Sequence, residues 1–277
     1  MVQICPTITL QFGGLPIRIR CTSAEFISQI SKDFFPWQTD NMSHICITIF
    51  LRPISKLPSE QPKVRCFRRR NHTLITHSGI RILHKHGTGD IFFHIASSSV
   101  VLFSRAMRIL LSFILPKHDA LLVHSSAAII PINNTGLLFL GQSGAGKTTI
   151  SKLLKAEDCQ ISNDELSIIR RTSEGWKLFP SPFGGDFKAG CSFHAPVSLE
   201  VLHTLVKAVR SDIISLSPPV AFVSVMRCIV NFSQDEAQQN VLFELTHQLV
   251  NEVPSSAFYF RKDEKILAIL SNKREAA

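Results

Sequence analysis

Residues 141–148 carry the residue types with which proteins bind phosphate groups. Their sequence, GQSGAGKT, matches the pattern G-x-x-x-x-G-K-[ST]. We expect the glycines at 141, 144 and 146 to adopt positive φ and to let the backbone approach a phosphate closely. Successive backbone N–H groups at the start of a helix then form a concave anion site. The pattern therefore predicts a site for a nucleotide.

Two side chains of this loop have predicted roles in the chemistry. Lys147 can reach the β- and γ-phosphates, and the Thr148 hydroxyl can bind the Mg²⁺ ion that bridges them. The loop follows the apolar run LLFL and opens the apparent helix TTISKLLKA, which is the context that the motif requires. We expect ATP and Mg²⁺ as cofactors. The residues expected to contact the nucleotide are Gly141, Gln142, Ser143, Gly144, Ala145, Gly146, Lys147, Thr148 and Thr149.

An acidic segment follows the loop: Asn163-Asp164-Glu165 interrupts the apolar run 159–169, 17 positions after Lys147. An acidic side chain at a strand end beside a phosphate loop can bind Mg²⁺, orient water or accept the proton of an acceptor hydroxyl. We expect Asp164 to be the catalytic carboxylate, and Asn163, Asp164 and Glu165 to join Thr148 as Mg²⁺ ligands. Glu165 is the alternative base, and a simple turn at Asn163-Asp164 is the alternative without chemistry.

Apolar and alternating runs predict the elements that position these residues. Two hairpins are expected, one from strands at 121–132 and 137–140 and one from strands at 166–171 and 176–181. The segment 182–186 that follows either folds over a substrate or is only a turn. The other elements expected in this half are strands near 199–206 and 257–261 and helices at 218–230, 235–251 and 263–271.

The first 97 residues predict a small, mostly antiparallel, β-rich domain. Short runs of β-branched and aromatic residues are separated by turn signals such as Gly13-Gly14-Leu15-Pro16. The strands are expected at 8–12, 17–21, 45–51, 64–68, 73–78, 81–85 and 90–96. A connecting segment over 98–117 holds a helix that Pro116 ends, and the phosphate-loop domain is expected at 118–277.

Positive charge is concentrated in the first part of the chain. The 277 residues carry a formal net charge of +9, with 15 basic and 6 acidic side chains in residues 1–120 and 15 of each in residues 121–277. The densest cluster, Arg68-Arg69-Arg70, is either a solvated sheet face or a docking surface for an acidic partner. Because no recognition helix or aromatic ladder accompanies it, we rank nucleic acid below an acidic protein or peptide.

Several classes of protein are excluded by the sequence. The most apolar stretch, 100–115, is shorter than the roughly 20 residues that a membrane span needs, and it carries Arg105 and Arg108. No charged segment precedes an apolar core at the amino terminus, so no signal peptide is expected. The seven cysteines include no C-x-x-C pair, which indicates reduced thiols and a cytoplasmic protein.

Several motifs together resemble the catalytic domain of HPr kinase/phosphorylase. They are His124-Ser125-Ser126-Ala127, the loop GQSGAGKTT, the closely following ISNDE and the segment SPFGGD. The chain is most similar to the small HPr-kinase-like proteins, and the nucleotide core of phosphoenolpyruvate carboxykinase is similar in outline. The resemblance covers about residues 118–270. It implies an α/β fold with a P-loop kinase core of the HPr-kinase/PEP-carboxykinase type, beside the smaller β-rich amino-terminal domain.

The resemblance also implies roles for individual residues. Lys147 and Thr148 fall on the family's phosphate and Mg²⁺ positions, and Asp164 falls on the aspartate taken as catalytic base. Asn163 falls on the first acidic position of the family's Asp-Asp pair. His124 falls on a histidine at the edge of the active site, where it can contact the γ-phosphate. From its residue type alone, His124 is equally a histidine of the core or of a strand face.

The chain departs from the family at three points. Asn163 replaces an acidic residue, which removes a negative charge from the metal site. The glycine-rich signature that follows the catalytic core of true HPr kinase/phosphorylase is not found, and the amino-terminal region is not the usual regulatory domain. We therefore predict neither HPr as the substrate nor the reverse phosphorylase activity. The hexamers of the family imply a homo-oligomer.

These patterns lead us to expect an ATP-dependent kinase that transfers the γ-phosphate to a hydroxyl group, most simply a serine. The acceptor is a protein, a peptide or a small molecule, and the residues do not select among them. Two other functions remain open: an NTP-hydrolysing switch, and a non-catalytic nucleotide-binding module that recruits an acidic partner.

Overall fold

The computed structural model describes residues 5–51, 63–86, 88–185, 195–262 and 266–272. Over this part of the chain the protein is of mixed α/β class, with two mostly antiparallel sheets. The chain divides into two compact units, residues 1–113 with 232–234 and residues 114–231 with 235–277. Below, these are the amino-terminal and the carboxy-terminal unit.

The amino-terminal unit is built on a seven-stranded sheet. Its strands are β1 (Thr7–Phe12), β2 (Leu15–Cys21), β3 (Ile45–Leu51), β4 (Arg65–Arg68), β5 (His72–His77), β6 (Ile80–Lys85) and β7 (Ile91–Ile95), and its helices are α1 (Ala24–Asp33) and α2 (Val100–Ile114). The strand order is β1-β2-β3-β7-β6-β5-β4, and only the β2–β3 and β3–β7 pairs are parallel. All seven predicted strands are confirmed to within about two residues.

Alternation of side chains explains why these strands form. In β2, Leu15, Ile17 and Ile19 are buried, whereas Arg18 and Arg20 are exposed. A strand turns successive side chains to opposite faces, so this pattern covers one face of the sheet with apolar groups.

Helix α1 was not among the predicted elements, although its signals are present in the sequence. The Ser23 side chain accepts the Phe26 N–H at 3.2 Å and caps the helix start. Phe26, Ile27 and Ile30 then recur at helical spacing and are buried. The helix lies between two runs of strand-forming residues, whose pattern is a stronger sequence signal than the helical spacing of three buried residues.

The carboxy-terminal unit contains the phosphate-loop motif and a second sheet. Its strands are β8 (Ala120–Ile130), β9 (Thr135–Leu140), β10 (Gln160–Asn163), β11 (Leu166–Thr172), β12 (Gly175–Phe179), β13 (Val197–Lys207), β14 (Asp212–Ser215) and β15 (Ser255–Phe260). Its helices are α3 (Lys147–Ala156), α4 (Pro218–Met226), α5 (Glu236–Glu252) and α6 (Ile266–Asn272). The predicted hairpins β8–β9 and β11–β12 are confirmed. Helix α4 ends four residues earlier than predicted, and β14 was not predicted.

Five strands of this sheet close into a ring. Strand β8 pairs with β11, β11 with β12, β12 with β13, β13 with β9, and β9 with β8. Strands β9, β13 and β15 run parallel, so their carboxyl ends lie on the same side of the sheet. The phosphate loop leaves the sheet at that side, directly after β9.

Strand β8 changes its pairing partner on both of its edges, and it does so at the same position along the strand. On one edge, β10 pairs with residues 127–129 and β11 with residues 120–124. On the other edge, β9 pairs with residues 125–130, and the backbone of residues 228–230 bonds to the stretch before them. The two breaks flank His124-Ser125. The phosphate loop begins at one break, and Asp164-Glu165 lies at the other.

The helices carry one further observation. Within the described residues, no helix is long and apolar enough to cross a membrane. Helix α2 has 15 residues and continues into a 3₁₀ turn at Leu115–His118 that contains Pro116. The proline therefore ends the α-helix without ending the helical path of the chain.

The packing of β9 predicts a large effect of truncating its core. Leu138 is fully buried in the apolar cluster of the carboxy-terminal unit. We expect Leu138→Ala to lower the free energy of unfolding of this unit by about 2–5 kcal/mol, because the change removes buried methyl groups and leaves a cavity. The measurement is urea unfolding followed by Trp176 fluorescence in a Trp37→Phe background, so that only this unit is observed.

Ile132→Ala is the matched control. Ile132 is 91% exposed in the turn after β8, and its truncation is expected to change the free energy by less than about 0.5 kcal/mol. Equal effects of the two substitutions would contradict the assignment of Leu138 to the core.

Candidate active site

The glycines of the phosphate loop are required for different reasons. Gly146 has φ +106°, and a Cβ atom there would lie 2.6 Å from Cζ of Phe260. Gly144 also has positive φ. Gly141 does not, which corrects the prediction for this position. Its Cβ would instead lie 2.5 Å from Cβ of Ala145, so Gly141 permits the two ends of the loop to approach each other.

Lys147 is buried at the mouth of this loop. Its Nζ donates to the carbonyl oxygens of Gly141 at 2.7 Å and Gln142 at 3.1 Å, and it lies 3.2 Å from Nε2 of His124. Burial lowers the pKa of Lys147, and the acidic groups nearby, Cys228 first and then Asp164 and Glu165, act to raise it. Two carbonyl oxygens and one imidazole nitrogen thus accept hydrogen bonds from the ammonium group beside the first turn of α3.

The contact with Lys147 defines the state of His124. An ammonium group only donates hydrogen bonds, so this contact requires the tautomer of His124 in which Nε2 is the acceptor and Nδ1 carries the proton. The backbone fixes the residue as well, because the His124 N–H donates to the Cys228 carbonyl at 2.6 Å. The structure therefore places His124 on a strand and beside the phosphate loop at once.

Asp164 joins the loop to the interrupted strand. Its carboxylate is almost fully buried: Oδ2 accepts the Thr148 hydroxyl at 3.3 Å, and Oδ1 accepts the Gly185 N–H at 2.7 Å. Thr148 and Asp164 are 16 positions apart in the sequence, and the break between β10 and β11 brings them together. The structure thus brings together Lys147, Thr148, His124 and Asp164.

The segment after β12 is anchored beside Asp164. Phe183 is fully buried, its carbonyl accepts the Leu166 N–H at 3.2 Å, and the Ser181 hydroxyl donates to the Leu166 carbonyl at 2.6 Å. A Cβ at Gly185 would lie 3.3 Å from both carboxylate oxygens of Asp164, so glycine permits this approach. Asp186, the last residue of the predicted loop, lies outside the described residues.

The oxygen atoms at this site fit a magnesium ion. Neighbouring ligands in an octahedral Mg²⁺ shell lie about 3 Å apart, and the Thr148 hydroxyl and the Asp164 carboxylate are separated by 3.3 Å. In the described part of the chain, no three His, Cys, Asp or Glu side chains form a metal-binding group.

Asn163 is placed differently from Asp164. Its side chain is fully buried. In the amide orientation that matches donors with acceptors, the nitrogen lies 3.0 Å from the Ser125 carbonyl oxygen and 3.3 Å from the Leu166 carbonyl oxygen. The amide thus supplies hydrogen-bond donors at the point where the backbone pairing of β8 passes from β10 to β11. An aspartate could not donate these bonds. The role of Asn163 as a Mg²⁺ ligand stays a prediction. In the structure, the hydrogen bonds of its amide fix the backbone geometry of the break between β10 and β11.

Glu165 and Cys228 complete the surroundings of Lys147. Glu165 is half-buried, and its carbonyl accepts the Ser125 N–H at 3.1 Å. Cys228 was not predicted as a site residue, since no motif links it to a loop 81 positions before it. Burial raises the pKa of its thiol, whereas the hydrogen bond from Gly141 and the charge of Lys147 lower it.

The environment of Asn163 predicts a pH-dependent effect of replacing it by aspartate. Burial raises the folded-state pKa of such a carboxyl above its unfolded value of about 3.9, so stability is lost as the pH rises above that value. We expect Asn163→Asp to lower the free energy of unfolding by on the order of 3 kcal/mol at pH 8, and by less at pH 5.

Asn240→Asp, the same change at an exposed position of α5, serves as the control in urea unfolding at both pH values. If Asn163 acts instead as a metal ligand, its aspartate variant will retain stability and bind Mg²⁺ more tightly than the wild type. That result would overturn the structural role.

Comparison of the chain with models of known protein families and with curated proteins found no match. The similarity to HPr kinase/phosphorylase therefore rests on the motifs quoted above.

Proposed function

We propose that the carboxy-terminal unit is an ATP-dependent kinase with a P-loop core of the HPr-kinase/PEP-carboxykinase type. The observation that carries the proposal is the approach of Asp164 to Thr148 at the phosphate loop, with Lys147 beside them. A buried carboxylate at this point can bind the metal ion in any phosphate-loop protein, and in a kinase it can also accept the proton of the acceptor hydroxyl.

In the proposed reaction, Asp164 accepts the proton of the acceptor hydroxyl. The hydroxyl oxygen attacks the γ-phosphorus, the new P–O bond forms, and the bond to the β-phosphate oxygen breaks, so that ADP leaves. Lys147 and the N–H groups at the start of α3 stabilise the negative charge of the transferring group. Positioning and charge stabilisation supply most of the rate gain.

The roles of His124 and the metal ligands follow from the same contacts. Thr148 and Asp164 would hold Mg²⁺, whose chemistry is to neutralise the phosphate oxygens during transfer. His124 holds the Lys147 ammonium by its Nε2 atom, and when Lys147 turns to the γ-phosphate, His124 is left at the edge of the site to contact the same group. Asn163 keeps Asp164 in place.

Three substitutions separate the kinase from its rivals. We expect Lys147→Ala to weaken ATP binding by about 10- to 100-fold, because a charge-assisted contact is lost. Asp164→Asn should still bind ATP, yet lose phosphate transfer by about 10²–10⁴-fold as the base is removed. Glu165→Gln should retain transfer. The measurements are ATP affinity by calorimetry and transfer of label from γ-labelled ATP with Mg²⁺ and a cell extract, read by mass spectrometry.

The alternatives give different results. Steady ATP hydrolysis without any labelled acceptor supports the NTP-hydrolysing switch. ATP binding without hydrolysis or transfer supports the nucleotide-binding module. Loss of transfer in Glu165→Gln but not in Asp164→Asn would move the base to Glu165.

We further propose that the amino-terminal unit binds an acidic acceptor. Among the residues that the structure describes, β4 is the last strand of its sheet. Arg65 and Arg68 on it are exposed, as are Arg69 and Arg70 beyond it. A cationic edge of this kind complements an extended anionic chain. Because nucleic acid is the alternative partner of a basic surface, single-stranded RNA is the competing ligand in the test.

Neutralising this charge should act on the acceptor alone. We expect the triple change Arg68→Gln, Arg69→Gln, Arg70→Gln to weaken binding of a labelled Glu/Ser peptide by about tenfold, since each exposed pair contributes a few tenths to 1 kcal/mol. The triple change to Lys keeps the charge and should bind the peptide as the wild type does. Fluorescence anisotropy measures the peptide and an oligo-uridine probe side by side, and calorimetry measures ATP.

An unchanged ATP affinity is expected in both triple variants. A parallel loss of peptide and ATP binding would contradict the separate docking surface. Tighter binding of oligo-uridine than of the peptide by the wild type would assign the surface to RNA.

A further inference from the structure

A cavity of about 670 Å³ lies beside the phosphate loop within the carboxy-terminal unit. Its walls include Val209 and Phe260, and cationic side chains surround it: Lys207, Arg261 and Lys262. Among its described lining residues, Thr149 is also one of the residues expected to contact the nucleotide. Its volume falls in the range of about 300–1,000 Å³ that is usual for small-molecule sites.

The cavity is continuous with the loop through two residues. Thr149, which lines it, directly follows Thr148 in the first turn of α3. Phe260 lines it as well, and its ring lies so close to Gly146 that a Cβ there would be 2.6 Å from Cζ. This cavity therefore lies next to any phosphate bound by the N–H groups of the loop, on the side of Thr149.

The topology of the sheet also indicates this cavity as a binding position. The cavity is at the carboxyl ends of the parallel strands β13 and β15, which end at Lys207 and Phe260. In this sheet only the β9–β13 and β13–β15 pairs are parallel within the described residues, and the chain leaves all three of these strands on the same side. The loop after β9 opens on the same side.

We propose that this cavity binds the base and ribose of the nucleotide whose phosphates lie on the loop. The inference rests on the proposed nucleotide site, and it adds the part of that site that binds the nucleoside. Val209 and Phe260 provide apolar contact for the base. Lys207, Arg261 and Lys262 place positive charge where the α-phosphate enters, which attracts a polyanionic nucleotide.

The test compares ATP with inorganic tripolyphosphate, which has the phosphates but no nucleoside. Ala208→Phe fills the cavity from its wall, and Val209→Trp does so from a residue that is 85% exposed and whose change leaves the core intact. We expect each variant to weaken ATP binding at least tenfold and to bind tripolyphosphate as the wild type does. Calorimetry with Mg²⁺ gives both affinities, and Ile132→Trp is the control at an exposed site of the same unit.

Each outcome bears on one of the two proposals. Unchanged ATP binding in both filled variants overturns the nucleoside cavity and leaves the phosphate loop standing. Equal weakening of ATP and tripolyphosphate in both variants overturns it too, because the substitutions then act on the loop. A wild-type protein that binds neither compound refutes the nucleotide site itself.

Discussion

The candidate site depends on one constraint in the sheet: β8 changes partner on both edges at the level of His124 and Ser125. Regular pairing along both edges would leave no gap for a side chain to turn toward the phosphate loop. The break on one edge allows the chain to leave β9 as the loop, and the break on the other allows Asp164 to leave the ladder. The two active segments therefore meet across a single strand.

Burial of the charged side chains at this site costs free energy, and their hydrogen bonds offset that cost. Lys147 and Asp164 are both almost fully buried, yet each has several polar partners. A buried charge without such partners is strongly unfavourable. Backbone carbonyls and His124 accept hydrogen bonds from the Lys147 ammonium group, so this buried charge is paired within the protein.

Sequence patterns recovered the parts of the site that depend on local chemistry. Glycines at a phosphate loop, the strand before it and the helix after it are set by neighbours in the chain, and the hairpins follow from alternation and turn residues. Contacts that depend on distant pairing were missed. Nothing near Cys228 in the sequence indicates that it bonds to His124, and nothing near Asn163 indicates that the carbonyl groups of Ser125 and Leu166 face its amide.

The ring of β8, β11, β12, β13 and β9 limits how the loop can move. A strand in a ring cannot detach without opening two ladders, whereas a terminal strand opens only one. Local opening of the sheet beneath the phosphate loop therefore approaches the free energy of unfolding the whole ring. In amide hydrogen exchange, we therefore expect the backbone of β9 to belong to the slowest class of the unit.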